Sequence, residues 1–183
     1  MRAPEVAYLR QVLAYNPETG ALTWLPRSVD MFPEGRDGAE RNAAKWNARF
    51  AGKRAGSLQA KGYIVIMLEG RPWLAHRLIW ALVTGAWPSP GEQVDHINHD
   101  RADNRWRNLR LVDAQGNARN KGPTNSAHIG VSWHLGTGKW QARIGVDGGS
   151  VHLGLFDRLS DAQAARARAE RQYEFHPNHG RNI

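Results

Sequence analysis

The chain has 183 residues, a formal net charge of +8 with histidine counted as neutral, and no cysteine. The lack of cysteine excludes disulfides and thiolate metal sites and fits a cytoplasmic protein. No apolar run approaches the length of a transmembrane helix and no signal-peptide pattern opens the chain, so we expect no membrane partner. Excess positive charge on a folded protein favours a polyanion, and nucleic acid is the expected partner.

The first third of the chain predicts a helix, a hairpin and a long loop. Residues 4–14 carry apolar side chains at helical spacing, which predicts a helix. A turn with Asn and Gly at 16–20 precedes a short predicted strand at 21–25. Residues 27–50 are polar and weakly periodic, so we expect a long loop with at most a short helix near 43–49.

The middle of the chain predicts a hairpin followed by a buried helix. The β-branched residues at 62–68 predict a strand, and a turn at 69–71 leads into a second strand at 72–75. Residues 76–84 predict a helix that is apolar on most sides and ends at Gly85.

The next segment predicts two strands and a helix around a polar turn. The strands are expected at 93–97 and 109–112, and the turn between them is rich in Asn and Asp, which hydrogen-bond their own backbone. Asp113 is a suitable N-cap for a helix over 114–120.

The last third predicts a separate unit, a three-stranded meander followed by one helix. Strands are expected at 129–134, 140–146 and 151–156, with Gly-containing turns between them. Ser160 is expected to cap a helix from 161 to about 174, and the arginines of that helix are expected to form a solvated face.

Asp95, His96 and Asn117 are the candidate catalytic residues. Phosphodiester hydrolysis needs a base, a cation beside the phosphate and a stabilised leaving oxygen. The Asp95 carboxylate and the Asn117 amide are hard oxygen ligands for Mg²⁺ or Mn²⁺, and the His96 imidazole can take a proton from water. On a regular strand Asp95 and His96 would face opposite sides, so a bulge or the strand end must redirect one of them. Asn108 is expected to tie the turn.

These residues resemble the motif of the HNH nucleases, the ββα-metal fold, in its His-Asn-Asn form. His96, Asn108 and Asn117 match its three signature positions, and the run DNRWRNLRLV resembles the core common in phage and bacterial members. The resemblance implies that His96 is the general base, that Asp95 and Asn117 hold one divalent ion, and that Asn108 constrains the loop. Three upstream segments also resemble this family, at 13–24, 51–63 and 75–88.

The resemblance implies an endonuclease that hydrolyses double-stranded DNA with Mg²⁺ or Mn²⁺, of the homing type associated with phage, acting in the cytoplasm of a bacterial host. No obligate protein partner is evident. The alternative is a DNA-binding regulator with an inactive nuclease site. His76 is either structural or a further group at the scissile phosphate or metal. Arg105, Arg107 and Arg110 either hold phosphates or solvate the rim of the site.

The last third resembles a second family, the plant APETALA2-type DNA-binding domain. The matching segments are GVSW at 130–133, GKWQARI at 138–144 and HLGLF at 152–156, together with the Ala-rich helix. That family lays its sheet in the major groove of DNA. The resemblance therefore implies DNA contacts for five residues: Ser132, His134, Arg143, Ser150 and His152. Plant members carry more arginine and a tryptophan there, so their target sequence cannot be carried over.

We therefore predict an α+β protein: a ββα-metal nuclease core with N-terminal hairpins and helices, followed by a three-stranded antiparallel sheet packed on one helix. The predicted nuclease domain spans 1–121, with its core at about 92–121. A linker at 122–128 leads to the predicted DNA-binding domain at 129–175. The tail at 176–183 is expected to be disordered.

Overall fold

The computed structural model describes residues 3–34, 38–113, 116, 128–177 and 179. Over these residues the chain is mixed α+β, with four helices and several small antiparallel sheets. The chain divides into two compact units, Met1–Leu111 and Val112–Ile183. Within the described ranges, no helix is long and apolar enough to cross a membrane.

The first unit begins with a helix that runs directly into a hairpin. Helix α1, Val6–Val12, ends two residues before the predicted end, because Leu13 is already extended at φ −134° and ψ 133° and pairs with Trp24. Strands β1, Leu13–Asn16, and β2, Ala21–Trp24, form the hairpin. The predicted turn between them is confirmed, and the Asn16 side chain accepts two backbone N–H hydrogen bonds within it.

Helix α2, Ala39–Phe50, contains the short helix expected near 43–49 but occupies half of the loop predicted over residues 27–50, so the loop prediction was wrong there. Aromatic packing holds this helix against the hairpin. The Trp46 ring lies edge-on to Trp24, with 5.6 Å between centroids, and its plane lies under the Arg27 guanidinium at 4.1 Å. Asn47 also bridges the backbone N–H and C=O of Arg27 at 2.8 and 2.9 Å. These contacts join positions far apart in sequence, which a local pattern cannot reveal.

The core of the first unit lies between a three-stranded sheet and a buried helix. The sheet contains β3, Ser57–Leu58, β4, Ile64–Leu68, and β5, Arg71–Leu74, and α3, Ala75–Thr84, follows it directly. Gly85 ends α3 in the left-handed conformation at φ 79°, as predicted. Fully buried side chains from the helices, the hairpin and the sheet make the core: Leu9, Val12, Leu22, Ile66, Leu68, Leu78 and Ile79.

A two-stranded sheet completes this part of the chain. It consists of β6, Gln93–His96, and β7, Leu109–Val112, joined by a long polar loop that ends in a single 3-10 turn. Asp113 accepts a hydrogen bond from the Gly116 N–H at 2.6 Å, in the manner of an N-cap. The helix predicted over 114–120 lies, apart from Gly116, outside the described residues.

The second unit is an antiparallel meander packed against one helix. Strands β8, Val131–His134, β9, Lys139–Val146, and β10, Gly149–Phe156, pair in the order β10–β9–β8. Helix α4, Leu159–Gln172, covers one face. The predicted cap was wrong, since Ser160 lies inside this helix and Leu159, which starts it, packs on the core.

Two expectations for the end of the second unit were wrong at single residues, Arg166 and His179, whereas Arg168 and Arg171 of α4 are exposed as expected. Arg166 belongs to the arginine face that was expected to be solvated, yet it is only 6% exposed and pairs with Glu170 at 3.1 Å. His179, in the tail that was expected to be disordered, is buried, and its ring stacks edge-on against Phe175. Arg166 and His179 approach each other at 3.4 Å, so the helix face and the tail bury one another.

Candidate active site and nucleic-acid interface

His96 is the last residue of β6, and its side chain is buried. Its Nε2 atom lies 3.0 Å from the side-chain oxygen of Asn104, which is itself 1% exposed. Burial lowers the pKa of His96 below its ordinary value, and the hydrogen bond to Asn104 and the nearby carboxylates oppose that shift only in part. The imidazole is therefore neutral near pH 7 and able to accept a proton.

A second buried histidine, His76 of α3, lies against the first. The two rings meet edge to face with 4.9 Å between centroids, and Tyr63 packs on both. Burial, with smaller contributions from His96 and Arg77, lowers the pKa of His76 to about 3. The site therefore contains two neutral imidazoles in contact, and His76 lies beside the candidate base rather than away from it.

The Asp95 side chain is hydrogen-bonded to Arg110 on the neighbouring strand, β7. Its Oδ2 atom accepts hydrogen bonds from Nε and Nη2 of Arg110 on β7. A predicted metal ligand and a predicted phosphate contact thus form an ion pair with each other. His96 ends β6 and makes its contacts elsewhere, with His76 and Asn104, so the strand end separates the two neighbouring side chains.

Asn108 spans the loop between β6 and β7. Its side-chain oxygen accepts a hydrogen bond from the N–H of Asn98 at 3.0 Å, and its amide donates to the backbone carbonyl of Asp103 at 2.7 Å. Asp103 also accepts hydrogen bonds from the Arg105 guanidinium and from the Asn98 amide. Those bonds, with Arg105 first, lower the pKa of Asp103, so the carboxylate stays charged and holds the loop closed.

The N-terminal hairpin fixes the same loop from outside. The Tyr15 hydroxyl donates to the backbone carbonyl of Asn104 at 2.9 Å, and the N–H of Trp106 donates to the carbonyl of Pro17 at 3.1 Å. Gly20, at φ 72°, lies so close that a Cβ atom there would be 2.6 Å from backbone atoms of Asn104 and Arg105. The loop that carries Asn104 is therefore clamped by residues about 85–90 positions earlier.

Sequence reasoning missed Asn104, Tyr15 and Gly20 as parts of the site. Asn104 lies in the run DNRWRNLRLV, but in a polar turn an Asn is first expected to bond its own backbone. Nothing in the local sequence around Tyr15 or Gly20 indicates which distant loop they touch.

Only one of the two predicted metal ligands, Asp95, lies within the described residues. Asn117 lies outside the described residues. In the described part of the chain, no cluster of three or more His, Asp or Glu side chains is placed to hold a metal ion. Asp95 contributes carboxylate oxygens, which suit a hard cation such as Mg²⁺ or Mn²⁺, and a carboxylate has more lone pairs than one guanidinium can occupy.

In the second unit, the five predicted DNA-contact residues lie on one face of the sheet. All five are exposed: Ser132, His134, Arg143, Ser150 and His152. The strand register pairs His152 with Arg143 and Ser132 with Gln141. The opposite face carries the buried residues Ala142 and Ile144.

Strand alternation also places Lys139, Gln141 and Leu155 on this outward face. Lys139 pairs with His134, and Leu155, 39% exposed, pairs with Gln141. The face thus combines two basic side chains with hydroxyl, amide, imidazole and apolar groups, which is a composition suited to both phosphates and base edges.

Residues 74–119 match the family model of the HNH endonucleases. An HNH endonuclease domain is present here. The matched segment contains His76, Asp95, His96, Asn104 and Asn108, and it supports nuclease activity on DNA at the level of the family. The match covers about a quarter of the chain, and the likeness of residues 129–175 to APETALA2-type domains stays a prediction. The chain matches no curated protein and no solved structure at a significant level.

Proposed function

We propose that the protein is a metal-dependent DNA endonuclease with His96 as its general base. The observation that carries this proposal is the setting of His96: a buried imidazole, next in sequence to Asp95 and held by the Asn104 amide, inside the HNH endonuclease domain. Because its pKa is lowered, the ring is in the proton-accepting form at neutral pH.

In the proposed reaction, His96 takes a proton from a water molecule as the water oxygen bonds to phosphorus. The bond from phosphorus to the 3′ oxygen breaks in the same displacement. Asn108 and Asp103 keep the loop beside the base closed, so the imidazole does not have to be ordered when DNA binds. His76 packs against His96 and keeps bulk water from that side of the ring.

The oxygen donors of Asp95 and Asn117 would hold one Mg²⁺ or Mn²⁺ ion. A bound ion supplies stabilisation of the negative charge on the phosphate and on the leaving oxygen. Arg110 fixes the direction of the Asp95 carboxylate through two hydrogen bonds to one oxygen, as partners of ligating carboxylates commonly do.

The outward face of the C-terminal sheet is the proposed DNA-binding surface. Arg143 and Lys139 would contact phosphates or guanine edges, and Ser132, Ser150 and His152 are short enough to approach bases when a sheet enters the major groove. The net charge of +8 supports a polyanionic partner. We propose site-preferring, homing-type cleavage, in which this face selects the target and the HNH domain cuts it.

One observation favours the alternative, a DNA-binding regulator with an inactive nuclease site. Arg110 is bonded to Asp95, and a guanidinium that stays on this carboxylate would disfavour a cation there. In that case the protein would bind DNA through the sheet and cleave nothing.

Plasmid nicking separates the two functions. Supercoiled DNA is incubated with the full chain in Mg²⁺, in Mn²⁺ and in excess chelator, and open-circle and linear products are quantified. We expect metal-dependent cleavage that falls about 10²–10⁴-fold in His96→Ala, the usual contribution of a positioned base. His128→Ala is the matched control, since His128 contacts Gln163 in the second unit and should leave the rate unchanged. DNA binding without cleavage in either metal establishes the regulator instead.

A further inference from the structure

Asn104 and His96 form a buried pair at the candidate site. The Asn104 side chain is 1% exposed, and its oxygen lies 3.0 Å from His96 Nε2. An amide oxygen can only accept a hydrogen bond, so this contact requires a proton on Nε2. A neutral imidazole protonated at Nε2 carries its lone pair on Nδ1.

We propose that Asn104 is a positioning residue that sets the tautomer of His96, so that Nδ1 is the nitrogen that accepts the proton from water. The inference rests on the proposed function, because it specifies how the candidate base is oriented. It differs from a catalytic role, since Asn104 acts on the imidazole and not on DNA or a metal ion.

The backbone of Asn104 is held on several sides, which suits a positioning role. The Tyr15 hydroxyl donates to its carbonyl oxygen, and its own N–H donates to the carbonyl of Ala102 at 3.1 Å. Gly20 packs against the peptide that joins Asn104 to Arg105, with no room for a side chain. With the backbone fixed, the amide has little freedom to leave the imidazole.

The amide nitrogen of Asn104 also supports a positioning role. Within the described residues, Nδ2 of Asn104 is buried without a hydrogen-bond partner. A buried donor without a partner destabilises a fold, so a residue that retains one calls for a reason other than stability. An apolar side chain would fill this space at lower cost to folding, but it could not direct the proton of His96.

The first test reads the tautomer directly and does not depend on activity. The two ring nitrogens of His96 are observed by ¹⁵N NMR in the metal-free full chain at neutral pH, with the signals assigned by their loss in His96→Gln. We expect a protonated Nε2 and an unprotonated Nδ1. In Asn104→Leu, which keeps the volume and removes the acceptor, we expect a mixture of tautomers or a reversed one.

The second test reads catalysis with a conservative rescue. We expect Asn104→Leu to lower kcat about 10–100-fold with little change in KM, the range known for partners that orient metal-ligating histidines. Asn104→Asp keeps an oxygen acceptor for Nε2–H and should retain the wild-type tautomer and recover most of kcat. Asn47→Ala is the structural control, since it removes two backbone contacts at Arg27 and should lower the melting temperature without changing the tautomer.

Failure of this inference and failure of the proposed function give different results. A wild-type ring protonated at Nδ1, or an Asn104→Leu protein with unchanged tautomer and kcat, overturns the inference. If Asn104→Leu does not fold, the wild-type spectrum and Asn104→Asp decide it. If the wild-type protein cuts no DNA in any metal, the proposed function fails, while the spectra still show whether Asn104 sets the tautomer.

Discussion

Arg110 donates both of its hydrogen bonds to a single oxygen of Asp95, from Nε at 3.1 Å and from Nη2 at 2.9 Å. The pair is largely buried, with the carboxylate side chain 12% exposed. An arginine that neutralises a proposed metal ligand has two opposite effects. It holds the carboxylate in one orientation, and it repels a divalent cation.

This relationship predicts how Arg110→Gln behaves. Glutamine can still donate one hydrogen bond to Asp95 but carries no charge, so Mn²⁺ should bind several-fold more tightly in the absence of DNA. DNA affinity should fall at the same time, because a basic side chain is lost. Calorimetric titration with Mn²⁺ and gel-shift titration with DNA measure the two effects. Weaker Mn²⁺ binding in the variant would mean that orientation outweighs repulsion.

A matched pair of glycines tests the clamp on the loop between β6 and β7. Gly20 and Gly70 both have φ 72°, so alanine at either position meets a similar backbone cost of about 1–2 kcal/mol. At Gly20 the new Cβ would also collide with backbone, at 2.6 Å from Asn104 and Arg105, whereas at Gly70 no atom of the described residues lies within 4 Å. We expect Gly20→Ala to lower the free energy of unfolding by clearly more than Gly70→Ala and to impair cleavage. Chemical denaturation and nicking assays measure both, and equal effects at the two glycines would contradict the clamp.

The buried histidines predict a pH dependence of stability. The pKa of His76 falls from 6.5 to about 3 on folding, so the unfolded chain takes up a proton at a higher pH than the native protein. The contribution of the buried neutral ring to the free energy of unfolding is complete above pH 6.5. It is lost as the pH falls from 6.5 toward 3. One such group gives a slope of up to about 1.4 kcal/mol per pH unit.

His76→Gln should flatten this slope, because glutamine does not titrate. Urea unfolding of the wild-type and variant proteins at several pH values between 4 and 7 measures it. His96, whose pKa is also lowered, should leave a residual slope in the variant. A wild-type slope of zero across this range would show that neither ring is buried as the structure has it.

Two arginines of the second unit test the DNA-binding surface. Arg143 is exposed on the outward face of the sheet, and Arg168 is exposed on α4. Arg143→Ala should weaken binding to a preferred site by roughly 1–3 kcal/mol if the guanidinium reads a base, or should weaken binding to all sequences and reduce the salt dependence if it holds a phosphate. Arg168→Ala removes the same charge elsewhere and should have little effect. Fluorescence anisotropy at several salt concentrations distinguishes these cases, and equal losses in both variants would argue for a non-specific charge effect.

Much of the fold was predictable because its signals are local. The strand at 64–68, the helix over 75–84 and its end at Gly85 follow from β-branched residues, apolar periodicity and a left-handed glycine. Helix α2 was not predictable in the same way, since Trp46 is held by an aromatic ring from a hairpin about twenty residues earlier. Arg166 was misjudged for a related reason: its burial depends on the chain beyond the helix folding back over it.

The candidate site also combines features that the local sequence predicts with contacts that it does not predict. The motif placed Asp95, His96 and Asn108 in one short segment, and the structure puts them on β6 and in the 3-10 turn just before β7. The partners of these groups have two origins. Asn104, which contacts the imidazole, and Arg110, which contacts the carboxylate, lie in the same segment, whereas Tyr15, which holds the loop, comes from the N-terminal hairpin. Which side chain reaches which is set by tertiary packing, and no spacing rule reports it.

The clamp formed by the N-terminal hairpin has a consequence for how the chain can be divided. The segment that matches the HNH endonucleases begins at residue 74, whereas Tyr15, Pro17 and Gly20 lie more than fifty residues before it. A protein engineer who grafted residues 74–119 onto another scaffold would carry the motif across and leave behind the surface that holds its loop. The transferable module is therefore longer than the recognisable one, and a graft that is meant to cut DNA should begin before Leu13.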